Sequence, residues 1–593
     1  MVAGRLQNLR PLLRLESRLG PGARLIYWLI AFQVLALVYL PVFGAPFFYD
    51  DIPSIVENSD LRFPAEPWRL LRDHGTSLQF DRRPVGGLFT LVNFQIAGLN
   101  PAGYHAANFV LHWIAAVLIA EFIALAAARL RTGGGRLFGL AVATLWALHP
   151  LNSTAVAYVY QRMEQLMAIF ALASLYALLR VPPDAGRKRR GWLAAAWCAA
   201  VLALLSKEVA VMLPLALALA DRLCTFASWR ELWRRRRGFY LALLVAWVPI
   251  LWWMARGVRV SELDVGDPLS TPWGYLKVQA GVVLEYLRLV VWPEPLVFYR
   301  TPRFTTSAAD WLPQAAVLCG LAACLVLAGR SHRWVWLAAG LFALVLVPTS
   351  SVIPVPLEPS AEFRMYLPSA CAVAVVLGAL EYARRQLLIP LRAAAVVALA
   401  LCAVLGSATH SRSRVFADRR SIWSDVVSKD PSNARAWINL GAAEVSAGNA
   451  AGARSVADVL TALWEQAGVG GEHFAQALRG EAALIDGDFP AAETHLRASL
   501  AADPSAAPVR LDLAEALAGQ GKLAEALEIV NGVLDRNEFD WRAAALKVRI
   551  LRAQAGKGKI VPNELSNEAQ EPLPHSPHGG LPHPREGSDA GGR

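Results

Sequence analysis

Charge is scarce in this chain of 593 residues: Asp, Glu, Lys and Arg together make up only 18% of it. The hydrophobic share is 55% and the mean hydropathy is +0.36, so there is more apolar surface than water-soluble cores could hide. Cysteine is scarce too. Of the six, Cys198, Cys319, Cys324, Cys371 and Cys402 fall in apolar runs and Cys224 lies beside a basic loop. None shows paired metal-ligand spacing and the loops expected outside hold none, which argues against a disulfide framework or a zinc module. A Walker-type glycine loop, a dinucleotide fingerprint and a serine-centred nucleophile elbow are all missing, so chemistry built on those motifs has no support.

What is there instead is a series of apolar runs. A membrane-crossing helix needs about 20 such residues, and the pattern predicts eleven spans near 25–44, 106–128, 137–155, 165–180, 191–206, 208–222, 239–255, 311–329, 334–348, 367–383 and 393–408. Residues 1–24 read as a basic cytoplasmic N-terminus before a retained first span, Gly44-Ala45-Pro46 being a poor cleavage site. The formal net charge of +11 gathers in short tracts between spans, Arg129–Arg136, Arg187–Arg190 and Arg234–Arg237. That is the positive-inside bias of membrane proteins rather than a nucleic-acid footprint. Segment 276–292 is apolar but contains Lys277, Gln279, Glu285 and Arg288. If it crossed, Arg330, Arg333, Arg384 and Arg385 would land outside, so it is expected to be re-entrant or interfacial. The loops 45–105, 149–162, 256–310 and 349–366, the Lys207–Glu208 turn and everything beyond about 410 then share the outer face.

Beyond 410 the composition becomes polar, Ala-rich and helical in period. Asp430-Pro431-Ser432 and Asp503-Pro504-Ser505 each precede a helix pair, and small residues recur at Gly448 and Ala453, Gly487 and Ala492, Gly521 and Ala526. A 34-residue period with small residues at those offsets is the tetratricopeptide signature, expected here over 421–554. About five extra residues separate the first and second full repeats. Residues 556–593 are rich in Pro, Gly and His and read as a disordered tail, with His575, His578 and His583 solvated.

The chemistry is sought at the outer face. Asp50 and Asp51 follow the first span in an aromatic setting of Phe47, Phe48, Tyr49 and Ile52. Adjacent residues in an extended segment point to opposite sides, so one acid could face a reacting group while the other orients it. Further polar residues sit at outer span ends: Arg83, His105, His149, Arg162, Glu208, Glu362, Arg364 and Tyr366. Ionisable groups beside hydrocarbon mark partners or pathways. Carboxylates and arginines at an outer membrane face, where nucleotide sugars are absent, suit transfer of a sugar already carried across on a polyprenyl phosphate. One acid takes the acceptor's proton, and guanidinium groups stabilise the departing phosphate.

The stretches FFYDDIPSIVENSDL, RRPVGGLFTLVNFQIAGLNPAGYHAANFVLHW, ALHPLNSTAVAYVYQRMEQLMA, LLSKEVAVMLPLALALAD and VPTSSVIPVPLEPSAEFRMYLPS, with the repeats behind them, resemble the transmembrane and tetratricopeptide-repeat-containing O-mannosyltransferases of the C-type glycosyltransferase superfamily. The resemblance spans about 45–550. It implies an all-α fold: a C-type glycosyltransferase domain over 25–410, with its catalytic loop at 45–105, followed by a tetratricopeptide solenoid. It implies transfer of a sugar, mannose in characterised members, from a polyprenyl-phosphate donor to Ser or Thr of extracytoplasmic acceptor proteins bound by the repeats, with inversion. Asp50 and Asp51 would supply the base, with Asp50 the first choice. Arg364, Arg162 and His149 would bind the donor phosphate. No cofactor or metal is assigned, and a divalent cation stays open. The composition suggests a bacterial inner membrane, with site and repeats facing the periplasm. Two alternatives stay open: a related transferase acting on a glycan or lipid acceptor, and a non-catalytic membrane scaffold.

Overall fold

The computed structural model describes residues 20–58, 61, 83–132, 134–182, 186–256, 271–300, 308–351, 354–355, 358–467, 471–536 and 540–556. Residues 1–19 of the basic N-terminus, the middle of the 45–105 loop (59–60 and 62–82) and the expected tail from 557 on lie outside the described residues. Every regular element among the described residues is helical. The membrane part comprises α1 (Pro21–Val38), α2 (Pro84–Ala97), α3 (Pro101–Leu130), α4 (Gly135–Ala147), α5 (Arg162–Arg180), α6 (Arg187–Ser206), α7 (Leu213–Cys224), α8 (Trp229–Arg256), α9 (Pro272–Val291), α10 (Ala308–Ser331), α11 (Arg333–Leu346), α12 (Tyr366–Gln386) and α13 (Leu391–Val415). Proline, whose missing amide costs nothing in a first turn, opens α1, α2, α3 and α9. The Asn100 and Thr271 side chains cap α3 and α9.

Each of the eleven expected spans coincides with one of these helices. Seven segments among the described residues are long and apolar enough to cross a membrane, and the chain is an integral membrane protein. α4, α7 and α11 are shorter, and α6 begins on four residues that include Arg187, Lys188, Arg189 and Arg190. Close approach is bought with small residues: a Cβ on Gly139 of α4 would sit 2.6 Å from the Ala120 carbonyl oxygen of α3.

The bundle has two chemically distinct ends. At one, the basic loops meet: Arg129 donates to the carbonyl of Leu179, Arg189 to that of Arg235 and Arg333 to that of Arg222. At the other lie the described part of the acid loop, Pro150–Gln161, the Lys207 turn, and residues 349–351 and 358–365. α9 finds its partners at this second end along its whole length. Tyr275 donates to the Thr349 carbonyl, Gln279 to Pro359 and Tyr286 to Ala361, and the Val290 carbonyl meets His149. The four partners of α9 thus all lie at this end of the bundle.

The C-terminal array consists of α14 (Arg419–Lys429), α15 (Ala434–Ser446), α16 (Ala450–Ala467), α17 (Glu472–Ile485), α18 (Phe489–Ala502), α19 (Ala507–Gly519), α20 (Leu523–Leu534) and α21 (Trp541–Gln554). The turn inside each helix pair passes through a glycine with left-handed backbone, Gly448, Gly487 and Gly521, where φ is +69°, +75° and +80°. The extra residues of the first full repeat fall in α16, which has 18 residues against 14 in α18 and 12 in α20, and in the segment behind it.

Candidate functional site

The acid loop leaves α1 through a short turn and runs along the rim of the bundle. Its entry is fixed by α3: buried His105 places Nε2 3.0 Å from the Ala45 carbonyl, and Tyr104 meets Phe47 edge-on with ring centroids 5.1 Å apart. Phe48 stacks on Tyr158 at 5.0 Å. Tyr49 follows with a left-handed backbone, φ +53°, a conformation bulky L-residues rarely adopt. The chain turns at Tyr49 and Asp50, the Asp51 amide reaching back to the Phe48 carbonyl at 3.1 Å, and enters a short helical turn at Ile52–Val56; the segment is therefore not the extended one expected, and the turn, not strand alternation, separates the two acids.

The two acids differ in surroundings. Asp51 is fully buried, its Oδ1 accepting the Tyr160 amide at 2.7 Å and its Oδ2 the Phe48 amide at 3.3 Å. Burial outweighs both bonds and pushes its carboxyl up to about 8. Asp50 is half-buried. Its amide donates to the Tyr158 hydroxyl at 3.1 Å, and its carboxylate accepts from the same hydroxyl. Burial raises the Asp50 carboxyl, while Tyr158, Arg83 and Arg435 pull it back.

Arg83, at the start of α2, is close enough to Asp50 for its cation to act on that carboxyl. Its Nε and Nη2 grip Glu208 Oε2 and Oε1 at 2.9 and 2.7 Å, and its guanidinium lies 5.9 Å from the centre of the Tyr160 ring. Burial alone would raise Glu208, but the Arg83 cation and its two bonds win and hold it at about 2. Lys207, the next residue back, is buried on Glu164 at 2.5 Å, with Gln161 at 3.3 Å and the Phe363 ring 4.8 Å away. Glu358 completes this rim. Burial raises its carboxyl to about 7; Arg364, Lys207 and Arg435 oppose the shift and Asp50 adds to it.

Several residues expected to bind phosphate are engaged elsewhere. Arg162 is fully buried between Phe89 and Tyr104, 5.6 and 5.1 Å from their ring centres, and donates to the Val159 carbonyl and the Asn93 side chain. His149 has both ring nitrogens occupied, by the Leu151 amide at 3.3 Å and the Val290 carbonyl at 3.0 Å. Burial lowers its pKa to about 4, so it is neutral and serves as a brace between α9 and the turn after α4. Arg364 donates to the carbonyls of Thr349, Pro359 and Glu358 and so ties down the loop that presents Glu358. Glu362 accepts from Thr154 and the Val297 amide and pairs with Arg412. Tyr366 bonds His112 Nδ1 at 2.9 Å, and its carbonyl accepts from Trp146 at 2.7 Å. The geometry therefore gathers Asp50, Arg83, Glu208, Lys207 and Glu358 at one rim, and uses His105, His149, Arg162, Glu362 and Tyr366 as internal supports.

Tyr158, Glu358 and Arg435 were not singled out from the sequence. Tyr158 lies in an aromatic run, Glu358 in a proline-rich loop and Arg435 in the first turn of a repeat, none of which sets it apart. Among the described residues no group of three or more His, Cys, Asp or Glu side chains could hold a metal ion.

Comparison with known proteins agrees with the sequence resemblance. The tetratricopeptide repeat family matches residues 483–550. A Caenorhabditis elegans protein O-mannosyl-transferase, F38B6.6, is 25% identical over 72% of this chain and 61% of its own length. The human protein O-mannosyl-transferase TMTC2 is 30% identical over 26% of this chain and 19% of its own length. Its relatives are protein O-mannosyl-transferases. The chain thus spans less than two thirds of the length of these curated relatives. A crystal structure of ArnT from Cupriavidus metallidurans, bound to undecaprenyl phosphate, aligns over 79% of both chains with 18% identity and a TM-score of 0.38, too distant to carry an argument.

Proposed function

We propose that the chain is a membrane glycosyltransferase that moves a sugar, mannose by the names of its relatives, from a polyprenyl-phosphate carrier to Ser or Thr hydroxyls of proteins outside the cytoplasm. Asp50 takes the acceptor hydroxyl's proton as that oxygen bonds to the anomeric carbon. The bond from that carbon to the phosphate oxygen breaks, the configuration inverts, and the polyprenyl phosphate leaves with the bonding electrons. Arg83 is the guanidinium best placed to meet the departing phosphate, with Glu208 fixing its plane. Arg364 acts through the loop it ties down. The repeat groove receives the extended acceptor polypeptide.

The observation that supports this reading is the half-buried Asp50 carboxylate, its proton affinity raised by burial and opposed by the nearby Arg83 cation, whose guanidinium fork Glu208 holds in place. A base with a raised pKa beside a fixed cation is what displacement at a phosphosugar requires. The test is to incubate purified full-length protein with labelled polyprenyl-phosphate sugars and a Ser/Thr-rich peptide, then read glycopeptides by mass spectrometry. Transfer by the wild type and its loss in Asp50→Asn support the assignment; equal transfer by both, or none by the wild type, overturns it.

A further inference from the structure

The start of the repeat array is bonded to the acid loop and to the segment that follows α9. Arg419 Nε donates to the Phe47 carbonyl at 2.8 Å, Lys429 to the Leu296 carbonyl at 2.8 Å and Asn433 to the Tyr299 carbonyl at 3.0 Å. Asn433 also accepts the Ala436 amide and so caps α15, which sets the direction in which the next side chains leave the helix. One of these is Arg435. Its Nη1 donates to the Tyr49 hydroxyl at 3.3 Å, and its guanidinium lies 5.4 Å from the centre of the Tyr299 ring.

Tyr49 is the residue that needs holding. Its left-handed backbone is costly for an aromatic side chain and persists only where the surroundings over-determine it. Those surroundings are Tyr158, Phe298, Tyr299 and Trp423, with ring centroids 5.6 to 6.4 Å from Tyr49, and the Arg435 bond at the tip of the ring. Trp423 and Arg435 both come from the array. Without them nothing from that side opposes relaxation of Tyr49 to an ordinary backbone, which would turn the next residue, Asp50, away from the Arg83 rim.

We propose that Arg435 is a positioning residue of the transfer centre: from the first full repeat it fixes Tyr49 and thereby aims Asp50 into the cleft. The array is then part of the centre as well as a landing site for acceptor. The kinetic side of this inference rests on the transferase reading; the structural side does not.

The experiment has two arms, both on the full chain. Amide hydrogen exchange over residues 45–58 compares wild type, Arg435→Gln, Arg435→Lys and, as control, Arg454→Gln, whose partner Asp486 lies within the array. Exchange is expected to speed up in Arg435→Gln, to be partly restored in Arg435→Lys and to stay unchanged in Arg454→Gln. The second arm follows transfer against pH. Asp50 is faced by Tyr158, Arg83, Arg435, Tyr49, Tyr299, Glu358 and Asp51. Removing the Arg435 cation should move the acidic limb to higher pH and lower kcat by about 10- to 100-fold with little change in donor KM, and Arg435→Lys should return the limb towards wild type. Wild-type exchange rates in Arg435→Gln, or an unmoved limb, overturn the inference. Absence of transfer in the wild type overturns the transferase reading instead.

Discussion

The Tyr160 amide donates to Asp51 Oδ1 at 2.7 Å and the Phe48 amide to Oδ2 at 3.3 Å, so the backbone engages both oxygens of the buried acid and leaves its neighbour Asp50 to face the rim. The two positions should therefore fail differently. Asp50→Asn is expected to reduce transfer by about 10²- to 10⁴-fold, the usual worth of a general base, with thermal unfolding unchanged. Asp51→Asn sets an amide NH2 against a backbone donor and is expected to cost about 1–3 kcal/mol of stability. Unfolding curves and initial rates measured together decide; a stable, inactive Asp51→Asn protein would reverse the assignment.

The pH dependence follows from the same pair. A base works only when ionised, and Asp50 is raised above its ordinary value near 3.8, so transfer should fall on acidification at a pH above that value. Asp51 acts on stability with its own sign. Its folded-state affinity for a proton exceeds the unfolded one, so its contribution is complete below about pH 4 and declines as pH rises through about 8. Rate profiles and unfolding midpoints between pH 4 and 9 should move in opposite directions over the lower part of that range.

Arg83→Gln should raise the KM for the lipid-linked donor by about 10- to 100-fold, the worth of one or two charge-assisted bonds. Arg83→Lys should recover part of this, because a point charge survives but the planar fork does not. A donor KM that ignores both changes would remove Arg83 from the phosphate site.

Lys207 and Glu164 form a buried pair at 2.5 Å with side chains 6% and 2% exposed. Lys207→Met leaves a buried carboxylate without its cation and is expected to cost about 3–5 kcal/mol, while Lys207→Met with Glu164→Gln should cost less. Chemical unfolding in detergent measures both.

The two-faced arrangement of the bundle was legible in the sequence because the chemistry that sorts it is local: apolar runs and basic tracts can be counted along the chain. The repeat turns were legible for a similar reason, since Gly448, Gly487 and Gly521 occupy a backbone region that disfavours other residues. What each polar side chain does was not local. Arg162 and His149 look like ligand-binding groups in the sequence, yet the partners that engage them, Asn93 and the Val290 carbonyl, are 69 and 141 residues away. His112, which bridges the Tyr366 hydroxyl and the Ala147 carbonyl, sits unmarked inside an apolar run. Asp50 came first on the sequence too; that the Tyr160 amide engages Asp51, which supports that order, is something no spacing rule records.

The bond from Arg419 to the Phe47 carbonyl joins residues 372 positions apart. Synthesis runs from one end, so the loop near residue 50 enters the bilayer long before its last brace exists. An unfinished polypeptide would carry both aspartates at the rim of the bundle yet lack the means to hold them in working shape. Its competence would arrive only as the segment from Arg419 to Arg435 emerges and docks.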